Sequence, residues 1–191
     1  AQDDAYGAML RLHLLTGGQR REQLVRLTRA DYDAGTITLW DGKGRRSAPR
    51  EHKLPLLPQA QAAIEAMAGE DGEYLVSVDG GKTPASVDML SKACERVGLV
   101  MVEAGEARRP ITPGAIRRTV ETLLGQAGVF KEIRAQLQSH GISGVQDRHY
   151  DMGDYLPHKL EALEKLRALC NPVPENVTDA RHRFKKSGTS R

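Results

Sequence analysis

One stretch constrains this chain more than any other: residues Ile111 to Tyr150, ITPGAIRRTVETLLGQAGVFKEIRAQLQSHGISGVQDRHY. Thr112 is a suitable N-cap, and Pro113 takes the first helical position, where a missing N–H costs nothing. Ile116, Val120, Leu123, Leu124 and Ala127 then recur at helical spacing, with Arg117 off that stripe. Gly125 and Gly128 break the pattern. Phe130, Ile133 and Leu137 mark a second helix that ends at Ser139-His140-Gly141, and a glycine-broken loop leads to Arg148-His149-Tyr150. An arginine, a histidine and a tyrosine are therefore confined to one short region. Arginine grips phosphate bidentately and stays charged. Histidine can shuttle a proton, and tyrosine can form a covalent ester. An ordinary helical hairpin with polar surface residues accounts equally well for this stretch taken alone.

The N-terminal part carries a second motif. Asp4 to Leu15 reads as a helix, and Gly17-Gly18 forces a turn before a short helix with Leu24 and Leu27 facing inward. Arg20 stands at the start of that helix, where a phosphate would be favoured. Thr36–Trp40 alternates as a strand, HKLPLL returns, and Pro55 points to a sheet edge. The tip between them, DGKGRRSAPRE, gathers Lys43, Arg45, Arg46 and Arg50, with Lys53 close behind. Such a basic hairpin suits a nucleic-acid backbone, although a solvated loop has the same composition.

Further helices are expected over Pro58–Met67 and from the Ser86 cap to Val97, with a short strand or extended segment at Tyr74–Val78. Residues 103–110 read as a polar loop. A last amphipathic helix carries Leu156, Leu160, Leu163, Leu166 and Leu169. Residues 171–191 are polar and basic and read as a mobile tail, leaving residues 1–170 as one domain. The fold class is thus α+β, mostly helical, with a small antiparallel sheet and a basic β-hairpin.

Composition sets the outer limits. At 39% hydrophobic and 28% charged residues the chain reads as a soluble globular protein of the cytosol, without a signal peptide or an apolar run long enough to span a bilayer. Ala1 in place of methionine reads as the start of a fragment. Cys94 and Cys170 are isolated and are expected as reduced thiols. No metal-ligand spacing, phosphate loop, HExxH or GxSxG occurs. A net charge of +3 admits nucleic acid as a partner without arguing for it.

The phrases TGGQR, GKG in a hairpin, IRRT opening a later helix, and SHG ahead of RHY occur in one order. In that order they resemble the catalytic domain of tyrosine recombinases, above all the integrases of phages and genomic islands, over roughly residues 5 to 165. The resemblance implies the catalytic set Arg20, Lys43, Arg117, His140 and Tyr150, with Arg45, Arg46, Arg50, Arg118 and Arg148 as DNA contacts. It also implies a double-stranded DNA attachment site as partner, a homotetramer on DNA from a chain that is monomeric alone, and a separate N-terminal DNA-clamping domain. No cofactor, metal or membrane is implied. Two positions depart from the family pattern. Gly114 stands where a histidine usually precedes the second arginine, and Gln23 where an acid usually follows the first. Either the domain is catalytically impaired, or Arg118 or a neighbour takes over.

Three functions follow as expectations: site-specific recombination through a 3′-phosphotyrosyl intermediate, attachment-site occupation by a damaged remnant, or DNA relaxation of the type IB topoisomerase kind. The leucine stripe of the last helix either packs on its own domain or docks on a neighbouring protomer, and docking in trans on DNA is the expectation.

Overall fold

The computed structural model describes residues 5–42, 49–139 and 155–170. Helix α1 (Ala5–Leu15) buries Ala8, Met9, Leu12 and Leu15, and it packs on α3 (Pro58–Ala68) and α4 (Val87–Glu103). Four of its residues thus form one side of a core completed by Ala60, Ala63, Ile64 and Met67 from α3 and Leu90 and Cys94 from α4. After the glycine turn come the single-turn helix α2 (Arg21–Leu24) and a 3-10 turn at Arg29–Asp31. Strands β1 (Tyr32–Asp33), β2 (Thr36–Asp41) and β3 (Arg50–Pro55) form an antiparallel sheet in that order. Pro55 lies on the outer strand, where its missing N–H leaves no ladder bond unmade. The register pairs Ile37 with Leu54, Leu39 with His52 and Asp41 with Arg50.

The segment leading to the second arginine is placed by a close approach. Helix α4 continues past the expected end at Val97 to Glu103. Gly98 on it lies under Pro110 and Ile111, and a Cβ there would stand 2.3 Å from the Ile111 nitrogen. Only glycine lets the two segments touch. Helix α5 (Pro113–Gln126) then opens as expected: the Thr112 hydroxyl accepts from the Ala115 N–H at 3.1 Å, and Val120 and Leu124 are buried. Helix α6 (Lys131–Gln138) is clasped to it by Arg134, which pairs with Glu121 at 2.8 Å and donates to the Val129 carbonyl at 2.5 Å.

The last described helix is α7 (Leu156–Cys170). It lies on its own domain, against β3, α5 and α6. Ala162, Leu163 and Leu166 are fully in the core, and the buried Lys159 ammonium donates to the Lys53 carbonyl at 2.8 Å. Burying two leucines contributes roughly 1.5–3 kcal/mol each, which holds the stripe in cis. Leu169, at the far end, is 49% exposed. The segment around Tyr74 adds a single bridge to Thr28 rather than a strand, because only one ladder pair forms. Among the described residues no helix is long and apolar enough to cross a membrane, and no metal-ligating cluster occurs.

Candidate functional site

The end of α6 is the hub of the site. A helix leaves its last carbonyls without intrahelical partners. Here three successive ones accept from side chains that are distant in sequence. The Leu137 carbonyl accepts from Gln19 Nε2 at 2.9 Å and from His52 Nε2 at 3.1 Å. The Gln138 carbonyl accepts from Arg117 Nη2, and the Ser139 carbonyl accepts from Arg20 Nη2 at 3.4 Å. The partial negative charge of a helix C-terminus favours such cationic partners. Ser139 itself turns the chain in the left-handed conformation, with φ at 52°.

Arg20 and Arg117 are brought together by this hub. They line one open cavity of about 600 Å³ with Gln19, Arg21, Ser91, Thr112 and Gly114. Arg117 also donates to the Gly18 carbonyl at 2.9 Å. Burial first, and then the neighbouring Arg20 charge, pull the Arg117 guanidinium below its ordinary value, with Glu121 and Asp41 opposing. Each guanidinium has five N–H donors; Arg117 uses two of them in the contacts just named, and Arg20 uses one there and a second on Asp41 Oδ1, at 2.7 Å. Two cations lining one cavity have the chemistry to bind an oxyanion. The one-turn length of α2 changes one part of the sequence reading: so short a helix has little dipole, so Arg20 is positioned by its partners rather than by a helix end.

Two buried histidines brace the same region. His13 Nε2 lies 3.3 Å from the Pro113 carbonyl, and burial, outweighing that bond, lowers its pKa to about 4. For His52, burial and the adjacent Lys159 lower it to about 3. Both imidazoles are neutral at pH 7, and both must donate through Nε2, since a carbonyl can only accept. Gln138 bridges the glycine turn to α5 by donating to the carbonyls of Gly17, at 2.9 Å, and Arg117, at 3.0 Å.

Arg50 reaches the site, donating to the Ser139 hydroxyl. Arg118 is exposed, and one of its guanidinium nitrogens lies 3.6 Å from where a Cβ at Gly114 would stand. Lys43, Arg45, Arg46, His140, Arg148 and Tyr150 lie outside the described residues. Sequence reasoning passed over Asp41, Ser139, Gln19, Gln138, His13 and His52. The signal for Asp41 was present: in TITLWD the inward positions 37 and 39 predict 41 as a third buried residue.

No family model and no curated protein matches the chain. Solved structures do resemble it. The integrase of mycobacterium phage Brujita is 19% identical with a TM-score of 0.58, over 90% of this chain and 55% of that one. The XerA recombinase is 17% identical with a TM-score of 0.52, over 91% and 65%. The XerH site-specific recombinase, bound to its difH substrate in a pre-cleavage complex, is 18% identical with a TM-score of 0.51, over 82% and 43%. The chain thus spans about half the length of the proteins it resembles. All three are tyrosine recombinases, and at these identities the likeness establishes architecture: the chain has the fold of the tyrosine recombinase catalytic domain.

Proposed function

We propose that this chain is the catalytic domain of a tyrosine-type site-specific DNA recombinase that integrates or excises a mobile element. The observation that carries the reading is the convergence of Arg20 and Arg117, from segments distant in the sequence, on one cavity beside the α6 end. That end leads directly into the sequence from His140 to Tyr150.

The proposed chemistry follows from these residue types. Arg20 and Arg117 hold the non-bridging oxygens of a phosphodiester, whose charge grows in the pentacoordinate transition state. The Tyr150 oxygen attacks phosphorus as it loses its proton. A phosphotyrosyl bond forms, the bond to the 5′ oxygen breaks, and Lys43 protonates the leaving oxygen. His140 donates to the phosphate. A 5′ hydroxyl of a partner strand then attacks the phosphotyrosine and releases the tyrosine. Bond energy is retained throughout, and the scheme uses neither metal nor cofactor. The DNA contacts assigned to Arg45, Arg46, Arg50, Arg118 and Arg148, a tetramer on DNA and a cytoplasmic setting belong to the same proposal. Arg118, beside Gly114, is the candidate substitute for the histidine that this chain lacks.

The test is covalent attachment to nicked duplexes drawn from a randomised pool. Wild-type chain yields a DNA adduct, whereas Tyr150→Phe yields none yet still binds DNA. An adduct that survives Tyr150→Phe would refute the assignment. DNA binding by the wild type without any adduct favours the second reading, an attachment-site-binding remnant disabled at Gly114.

A further inference from the structure

Asp41 ends strand β2 on its inward face, in the alternation that also buries Ile37 and Leu39. It is only 5% exposed. A carboxylate so placed is costly unless it is paired and hydrogen-bonded. Its two oxygens serve different segments. Oδ1 accepts from Arg20 Nη1 at 2.7 Å, and Oδ2 accepts from the Ser139 hydroxyl at 3.1 Å. Arg50, the cross-strand neighbour of Asp41, donates to that same hydroxyl. On the chain next to Arg20, Glu22 instead pairs with Arg21, at 3.7 Å.

We propose that Asp41 is the positioning residue for Arg20: its carboxylate sets the angle of the guanidinium toward a bound phosphodiester and, through Ser139, ties that angle to the end of α6. The inference rests on the clamp reading above. An arginine side chain has many rotamers to lose, and a donor aids an oxyanion only when it is aimed beforehand. One carboxylate thereby ties together the end of β2, the arginine, and the turn at Ser139 that closes α6.

Positioning and simple electrostatics predict opposite signs. A carboxylate beside Arg20 cancels part of its charge, so by charge alone its removal tightens anion binding. If Asp41 aims Arg20, its removal weakens anion binding. The experiment is a titration of the full chain with inorganic phosphate, followed by phosphorus NMR, for wild type, Asp41→Asn, Asp41→Glu and Ser139→Ala. Asp41→Asn is expected to weaken phosphate binding about fivefold despite the lost negative charge, as the loss of preorganisation dictates. Asp41→Glu should recover part of that loss, and Ser139→Ala should show a smaller loss of the same sign. Phosphate bound equally or more tightly by Asp41→Asn overturns the proposal and leaves the clamp intact. If Asp41→Asn does not fold, Ser139→Ala decides by the same sign. Wild-type chain that binds no phosphate overturns the clamp, and this inference with it.

Discussion

Arg117 donates to the Gly18 carbonyl at 2.9 Å, and a Cβ on Gly18 would lie 2.7 Å from the Arg117 Cα. The two backbones touch, so the glycine turn and α5 cannot move independently. Gly18 is also held at φ +71°, where a side chain costs roughly 1–2 kcal/mol in itself. Gly18→Ala should therefore destabilise the chain by more than that strain alone, by roughly 2–4 kcal/mol in urea unfolding. Gly80→Ala is the matched control. Its φ is +76° but nothing lies within 4 Å, so only the strain should appear. Equal losses in the two variants would show that the contact with Arg117 carries no energy.

Acid should weaken the fold through two buried imidazoles. His13 and His52 are held at about 4 and about 3, against an ordinary 6.5, with burial as the main cause. For a base with a depressed folded value, the native state prefers the neutral form. Its stability contribution is complete above pH 6.5 and is lost as pH falls toward those folded values. At pH 5 the two sites together should cost roughly 4 kcal/mol relative to pH 8. Denaturant titrations across this range check the slope, and His52→Gln should remove about half of it. A stability profile flat from pH 8 to 5 would contradict the burial of both neutral imidazoles.

The cis packing of α7 makes a separate claim. Leu163 is wholly buried in the free domain. Leu163→Ala should cost roughly 2–5 kcal/mol of stability with no DNA present. A melting temperature unchanged by this substitution would return the helix to the trans-docking role that its leucine stripe suggested.

At Gly114 the reasoning reverses. A Cβ there meets only Arg118 Nη1 at 3.6 Å and the Thr112 hydroxyl at 4.0 Å, both ordinary contacts, in the first turn of α5. Gly114→Ala should therefore stabilise the chain by roughly 0.5–1 kcal/mol. Gly114→His should fold normally and raise the yield of covalent adduct. An adduct yield unchanged by the histidine would mean that Arg118 or another neighbour already fills the role.

Much of the fold was legible because its signals are local. The Thr112-Pro113 start, the β2 alternation and Pro55 at an edge each follow from a few residues. The end of α4 was placed too early because Leu99 and Val100, which carry the helix on, are exposed, so no inward-facing repeat marks its last turns. The resemblance brought Arg20 and Arg117 forward, whereas their partners were not legible. Ser139, Gln138 and His52 act through contacts between segments distant in sequence, which neither propensity nor spacing encodes, and for Asp41 the alternation of β2 marks the burial but not the partner. The three accepting carbonyls at the α6 end belong to the backbone and have no sequence signature at all.

The shared clamp is the claim on which the functional reading depends. Nitrogen-15 spectra of the arginine side chains, recorded while inorganic phosphate is added, observe Arg20 and Arg117 individually. If the two guanidiniums close on one oxyanion, both signals shift together along a single binding curve, and Arg117→Ala abolishes the shift at Arg20. Two unrelated affinities, or a shift at Arg20 that persists without Arg117, would mean that the arginines merely neighbour one another and that no common phosphate site exists.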